Sequence, residues 1–97
     1  MNSLIYILAG KKNKTVVGIA DNERIFLSDQ LSEHLPDKKY ETVKLIYFEK
    51  IDNRAKALRR KRYLSYLSEK GRLRIVRKYN PELLNLIFDL NQSNKIY

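Results

Sequence analysis

Two short apolar runs, Leu4-Ile5-Tyr6-Ile7-Leu8-Ala9 and Thr15-Val16-Val17-Gly18-Ile19-Ala20, stand either side of the turn-forming stretch Gly10-Lys11-Lys12-Asn13-Lys14. β-Branched and aromatic residues around such a turn predict an antiparallel hairpin buried on at least one face. Apolar strands of this kind need other elements to cover them. Thr42-Val43-Lys44-Leu45-Ile46-Tyr47-Phe48-Glu49 has the composition of a third strand, and Pro36-Asp37-Lys38-Lys39 reads as the turn before it. Beyond the capping candidates Asp52 and Asn53, a helix is expected through Ser68, with Ala57, Leu64 and Leu67 near one face. A second helix is expected over Lys70–Tyr79, with Leu73, Ile75 and Val76 apolar. Asn80-Pro81-Glu82 supplies a cap, a proline at the first helical position and an acid in the first turn. It predicts a third helix with Leu83, Leu84, Ile87, Phe88 and Leu90 as its apolar residues. Between the second and third strands, Asp21 or Asn22 caps a helix to about Leu35. Alternatively, Glu23–Leu27 extends the hairpin and Ser28 caps a shorter helix. The tail from Asn91 is polar. The expected fold is a single α+β domain over residues 1–97, a three-stranded antiparallel sheet flanked by helices in the order ββαβααα.

The charge is concentrated in one place. Eleven of the 20 Lys and Arg residues lie between Arg54 and Lys78 with Glu69 the one acid among them, while the whole chain carries +9. The remainder is therefore close to neutral. Such a segment repels itself in a small domain and is relieved by a polyanion, which makes nucleic acid the first partner to consider; the alternative is a solvated helix face. The absence of cysteine excludes a disulfide scaffold, a thiolate zinc site and a cysteine nucleophile. With one histidine, any metal would need carboxylates, and no metal site or cofactor is expected. The six residues Leu4–Ala9 are too few to span a bilayer and lack the flanks of a signal peptide, so the expectation is a cytoplasmic protein with no membrane partner.

Tyr6 in a first strand, Val16-Val17-Gly18 in a second, Lys44-Leu45-Ile46-Tyr47-Phe48-Glu49 in a third, a basic helix with Ala57-Leu58-Arg59-Arg60-Lys61, and Asn80-Pro81-Glu82 together resemble the GIY-YIG nuclease domain. The likeness is to its small single-domain bacterial members and runs from about Leu4 to Leu90. There the third strand reads like Lys-Leu-Val-Tyr-Tyr-Glu, and an Ala-x-x-Arg-Glu helix and an Asn-Pro-Glu follow. Asn80 stands 19 residues after Lys61, which fits the family without a gap. The resemblance implies phosphodiester hydrolysis with one divalent metal on the helix glutamate, tyrosines from the first two strands, and an arginine that stabilises the phosphate.

This chain departs from that pattern at the chemistry. Lys61 takes the place of the metal-binding glutamate, and an ammonium group cannot hold a hard cation. Val16 replaces the second tyrosine and has no proton to transfer. Counted without gaps from Gly18, the catalytic arginine falls at Phe26 and the following histidine at Gln30; Arg24 and His34 fill those roles only with a shift of register. Tyr6 and Asn80 match the family, although the first is also an ordinary core aromatic and the second an ordinary N-cap. Gly18 is expected to allow a bulge or a close backbone approach, and Glu49 to be a solvated strand terminus. Three readings remain open. The first is an inactive nuclease-like domain binding nucleic acid, DNA ahead of RNA, through Arg59, Arg60, Arg62, Arg72, Arg74, Arg77 and Lys78. The second is an active endonuclease using magnesium or manganese. The third is a protein-interaction module whose basic face docks on an acidic partner. Tyr63, Tyr66 and Tyr79 lie among the charges as core or boundary residues that can also stack on bases.

Overall fold

The central strand is apolar on both faces, and the rest of the fold is arranged to cover it. The computed structural model describes residues 3–10, 14–22, 24–26, 44–87 and 89–90. Strands β1 (Ser3–Ala9), β2 (Thr15–Ala20) and β3 (Lys44–Ile51) form one antiparallel sheet in the order β2-β1-β3. Helices α1 (Arg54–Tyr66) and α2 (Glu69–Tyr79) follow. This is the α+β fold expected from the strand and helix patterns. Ile5, Ile7 and Ala9 join Ala57, Leu64 and Val76 in a cluster beneath the two helices. Leu4, Tyr6 and Leu8 point to the other face, where Phe26, Leu45 and Leu90 meet them. Alternation along one strand thus feeds two cores, which explains why the β1 sequence is an unbroken apolar run.

The helix starts are set locally. Asn53 caps α1 by accepting from the Lys56 amide at 3.1 Å, and Asn22 accepts from the Ile25 amide at 2.8 Å at the start of a helical turn at 24–26. The reading of 23–27 as a strand is therefore replaced by a helical turn at 24–26. Its predicted continuation to Leu35, the Ser28 cap, the turn at Pro36 and the start of the third strand at Thr42 lie outside the described residues.

The segment after α2 departs from the expected helix. Residues 81–82 form a turn, 83–86 are non-helical, and helix begins only at 87. The reason is Asn80, which is buried to 5% exposure and turns its side chain into the fold. Its Nδ2 donates to the Ile46 carbonyl at 3.0 Å and the Leu84 carbonyl at 2.9 Å, while its Oδ1 accepts from the Leu84 amide at 3.0 Å. Ile46 is the extra residue of a bulge, since Ile7 pairs with Tyr47 and Leu8 with Leu45. Asn80 therefore supplies the bulge carbonyl with a donor. Leu83 takes a left-handed φ of 53°, which ends the turn that Pro81 and Glu82 begin. The chain then runs along the β3 edge, where the Leu86 amide donates to the Leu45 carbonyl at 2.7 Å and the Leu45 amide to Asn85 Oδ1 at 3.2 Å. This covers one end of an edge strand.

Gly18 is the residue directly across from Tyr6, and a Cβ at that position would overlap the Tyr6 ring. The glycine is there for close approach, as its place in a strand suggests. Gly18→Ala is expected to lower stability by about 2 kcal/mol, the usual cost of overpacking. Urea denaturation reads the loss, and Tyr6→Leu in the same chain should restore part of it.

Candidate nucleic-acid interface

Helix α2 gives the clearest surface. Val76 is its fully buried residue, and Leu73 and Ile75 are half-buried beside the core. Lys70, Arg74, Arg77 and Lys78 recur at i, i+4, i+7 and i+8, so they share one stripe, and all four are exposed. On α1, whose buried residues are Ala57 and Leu64, the exposed Arg59, Arg62 and Tyr66 share the outer face at i, i+3 and i+7. Among the described residues none hydrogen-bonds or ion-pairs with these six cations. Tyr63, Tyr66 and Tyr79 are 51%, 88% and 73% exposed, which places them outside the core. A helix needs only a narrow apolar stripe to dock, so aromatics in the remaining positions fall on the solvent side.

Two of the arginines in the basic segment have internal work. Arg72 donates from Nη1 to the carbonyls of Leu64, Ser65 and Leu67 at 3.1, 3.1 and 3.0 Å, closing the C-terminal end of α1. Its Nε donates to Thr15 Oγ1 at 2.8 Å and its Nη2 to Glu69 Oε1 at 3.1 Å. Glu69 in turn accepts from the Thr15 hydroxyl at 2.6 Å and the Thr15 amide at 3.0 Å. Burial pushes the Glu69 carboxyl up, but the bonds from Thr15 and Arg72 prevail and hold it below its ordinary value of 4.5.

Arg60 reaches Glu49, with Nε to the two carboxylate oxygens at 3.2 and 2.9 Å and Nη2 to Oε2 at 2.9 Å. It also lies over the Tyr63 ring at 5.6 Å. Tyr47 donates its hydroxyl to Glu49 Oε2. Glu49 is therefore paired and half-buried rather than a solvated strand end. Burial first, and then the bond to Glu49, push the Tyr47 phenol up to about 12. Because the raised value favours the neutral phenol in the folded state, its contribution to stability is complete below the ordinary value of 10.0 and is lost as pH rises through about 12. Ultraviolet titration should show a late phenolate component that Tyr47→Phe removes.

These side chains line a cleft of about 460 Å³ between β3, α1 and the end of α2, bounded by Ile46, Tyr47, Phe48, Glu49, Arg60, Tyr79 and Leu86. Tyr79 sits against Tyr47 with ring centroids 5.9 Å apart.

The residues suggested by the nuclease resemblance fall into two groups. Tyr6 packs against Phe26 with centroids 4.5 Å apart, on the sheet face opposite α1, and Val16 lies on that same face at 62% exposure. Lys61 lies between Ala57 and Leu64 on α1 and is half-buried, so α1 does turn it toward the sheet, but Tyr6 projects from the other face. Asn80 serves the β3 bulge, and Arg24 is exposed. Among the described residues, no group of three or more His, Cys, Asp or Glu side chains is placed to hold a metal. No helix among them is long and apolar enough to cross a membrane. Lys70 was absent from the sequence-derived set, although its spacing to Arg74 carries the signal. Tyr47 was absent too, and an aromatic in a strand carries no mark of its partners. Comparison with protein-family models, with curated proteins and with solved structures finds no match to this chain.

Proposed function

We propose that this chain is a GIY-YIG-like domain that binds nucleic acid through the exposed cations of α1 and α2 and does not cleave it. The observation that carries the reading is the α2 stripe of Lys70, Arg74, Arg77 and Lys78, four exposed cations on one face with no partner among the described residues. Unpaired cations repel one another along a helix and are relieved by phosphates at similar spacing. Binding of this kind fixes the backbone and reads little sequence. The second half of the proposal rests on Lys61, whose ammonium repels a divalent ion, and on Val16, which has no hydroxyl to activate water.

Fluorescence anisotropy with a short DNA duplex and a matching single strand over a salt series tests the first half. If about four to six of the exposed cations meet phosphates, log K falls against log salt with a slope of about −3 to −5. Flat salt dependence, or no binding at low salt, rejects the reading in favour of a protein partner. Metal-dependent nicking that Tyr6→Phe removes would overturn the second half.

A further inference from the structure

We infer that the cleft beside Tyr79 holds an unstacked base of single-stranded nucleic acid, so that the basic face prefers single strands to duplex. The inference rests on the nucleic-acid reading above and specifies its substrate class. The lining has an aromatic wall, apolar sides from Ile46, Phe48 and Leu86, and one carboxylate. That carboxylate would repel a polyanion were it free, but Arg60 and the Tyr47 hydroxyl are bonded to it. The pair has no net charge, so the cleft suits a neutral planar ring better than a phosphate. Arg60 also hydrogen-bonds Tyr47, so the charged group is tied to the aromatic wall of the cleft as well as to Glu49.

The surroundings favour the same occupant. Tyr79 is 73% exposed although its ring touches Tyr47, which leaves a face open for stacking. The exposed cations Arg59 and Lys78 lie on the two helices that border the cleft, next in sequence to Arg60 and Tyr79, and bring positive charge to those elements. At about 460 Å³ the space takes one base with its sugar. Bases in a duplex are stacked and paired, and reaching this cleft would require extrusion, which costs a few kcal/mol. A single strand enters without that cost.

The test uses the whole chain with oligo(dT) and a duplex of equal length. Wild type is expected to bind oligo(dT) more tightly. Tyr79→Ala is expected to weaken oligo(dT) binding roughly tenfold, as loss of a stacking platform does, and to leave duplex binding unchanged. Tyr79→Trp should restore the single-strand affinity, an outcome that a merely structural tyrosine would not give. Photo-crosslinking of oligo(dT) carrying 5-iodouracil should map to Tyr79 or Tyr47. Equal, Tyr79-independent binding to both polymers overturns the cleft while leaving the basic face intact. Crosslinks confined to Tyr63 and Tyr66 do the same, and no binding to either polymer overturns both.

Discussion

Replacing Lys70, Arg74, Arg77 and Lys78 with Gln is expected to weaken nucleic-acid binding by at least about a hundredfold at low salt and to make the salt slope shallower by about 3. The four are exposed and bond no described residue, so their loss removes little from the fold. Glutamine keeps helix propensity and avoids placing acids beside the negative end of the helix dipole, where reversal would cost stability of its own. Circular dichroism should therefore be unchanged while binding is lost. Retention of full affinity by the folded variant would move the binding surface away from the α2 stripe.

Arg72→Met is expected to act in the opposite way. It lowers stability by about 3 kcal/mol, because it takes the donor from three helix-end carbonyls and removes the charged partner of Glu69, which keeps only its bonds from Thr15. Much of Glu69 is solvated, which holds the figure below that of a fully buried pair. For a domain of this size the loss corresponds to a fall in Tm of roughly 10–20 °C, measurable by calorimetry. Glu69 adds a pH signature. With its folded value lowered, its contribution is full above the ordinary 4.5 and disappears as pH falls through the depressed value. Arg72→Met should therefore narrow the gap between neutral and acid stability.

The fold was legible because its signals are local and repeated. Continuous apolar character in β1, β-branched residues in β2 and β3, and Asn53 before a helical period each act over a few residues. The site was less legible because its pairings are distant. Thr15 meets Glu69 across 54 residues, and Asn80 meets Ile46 across 34. Nothing in the run Glu69–Lys78 distinguishes Arg72, which closes a helix end, from Arg74, which faces solvent. Asn80-Pro81-Glu82 shows the same limit, since its side chain had a bulge carbonyl to satisfy and the local helix-start pattern lost to that tertiary bond.

The Thr15–Glu69–Arg72 clasp has a consequence for how the basic surface works. It joins the end of α1, the start of α2 and the first residue of β2, so the two charged helices are held in a fixed relation before any ligand arrives. A binding surface assembled in advance loses less conformational freedom when it is occupied, so more of each phosphate contact is available as affinity. The one acid in the basic segment thus acts as a brace that keeps its cations in register with an extended polyanion.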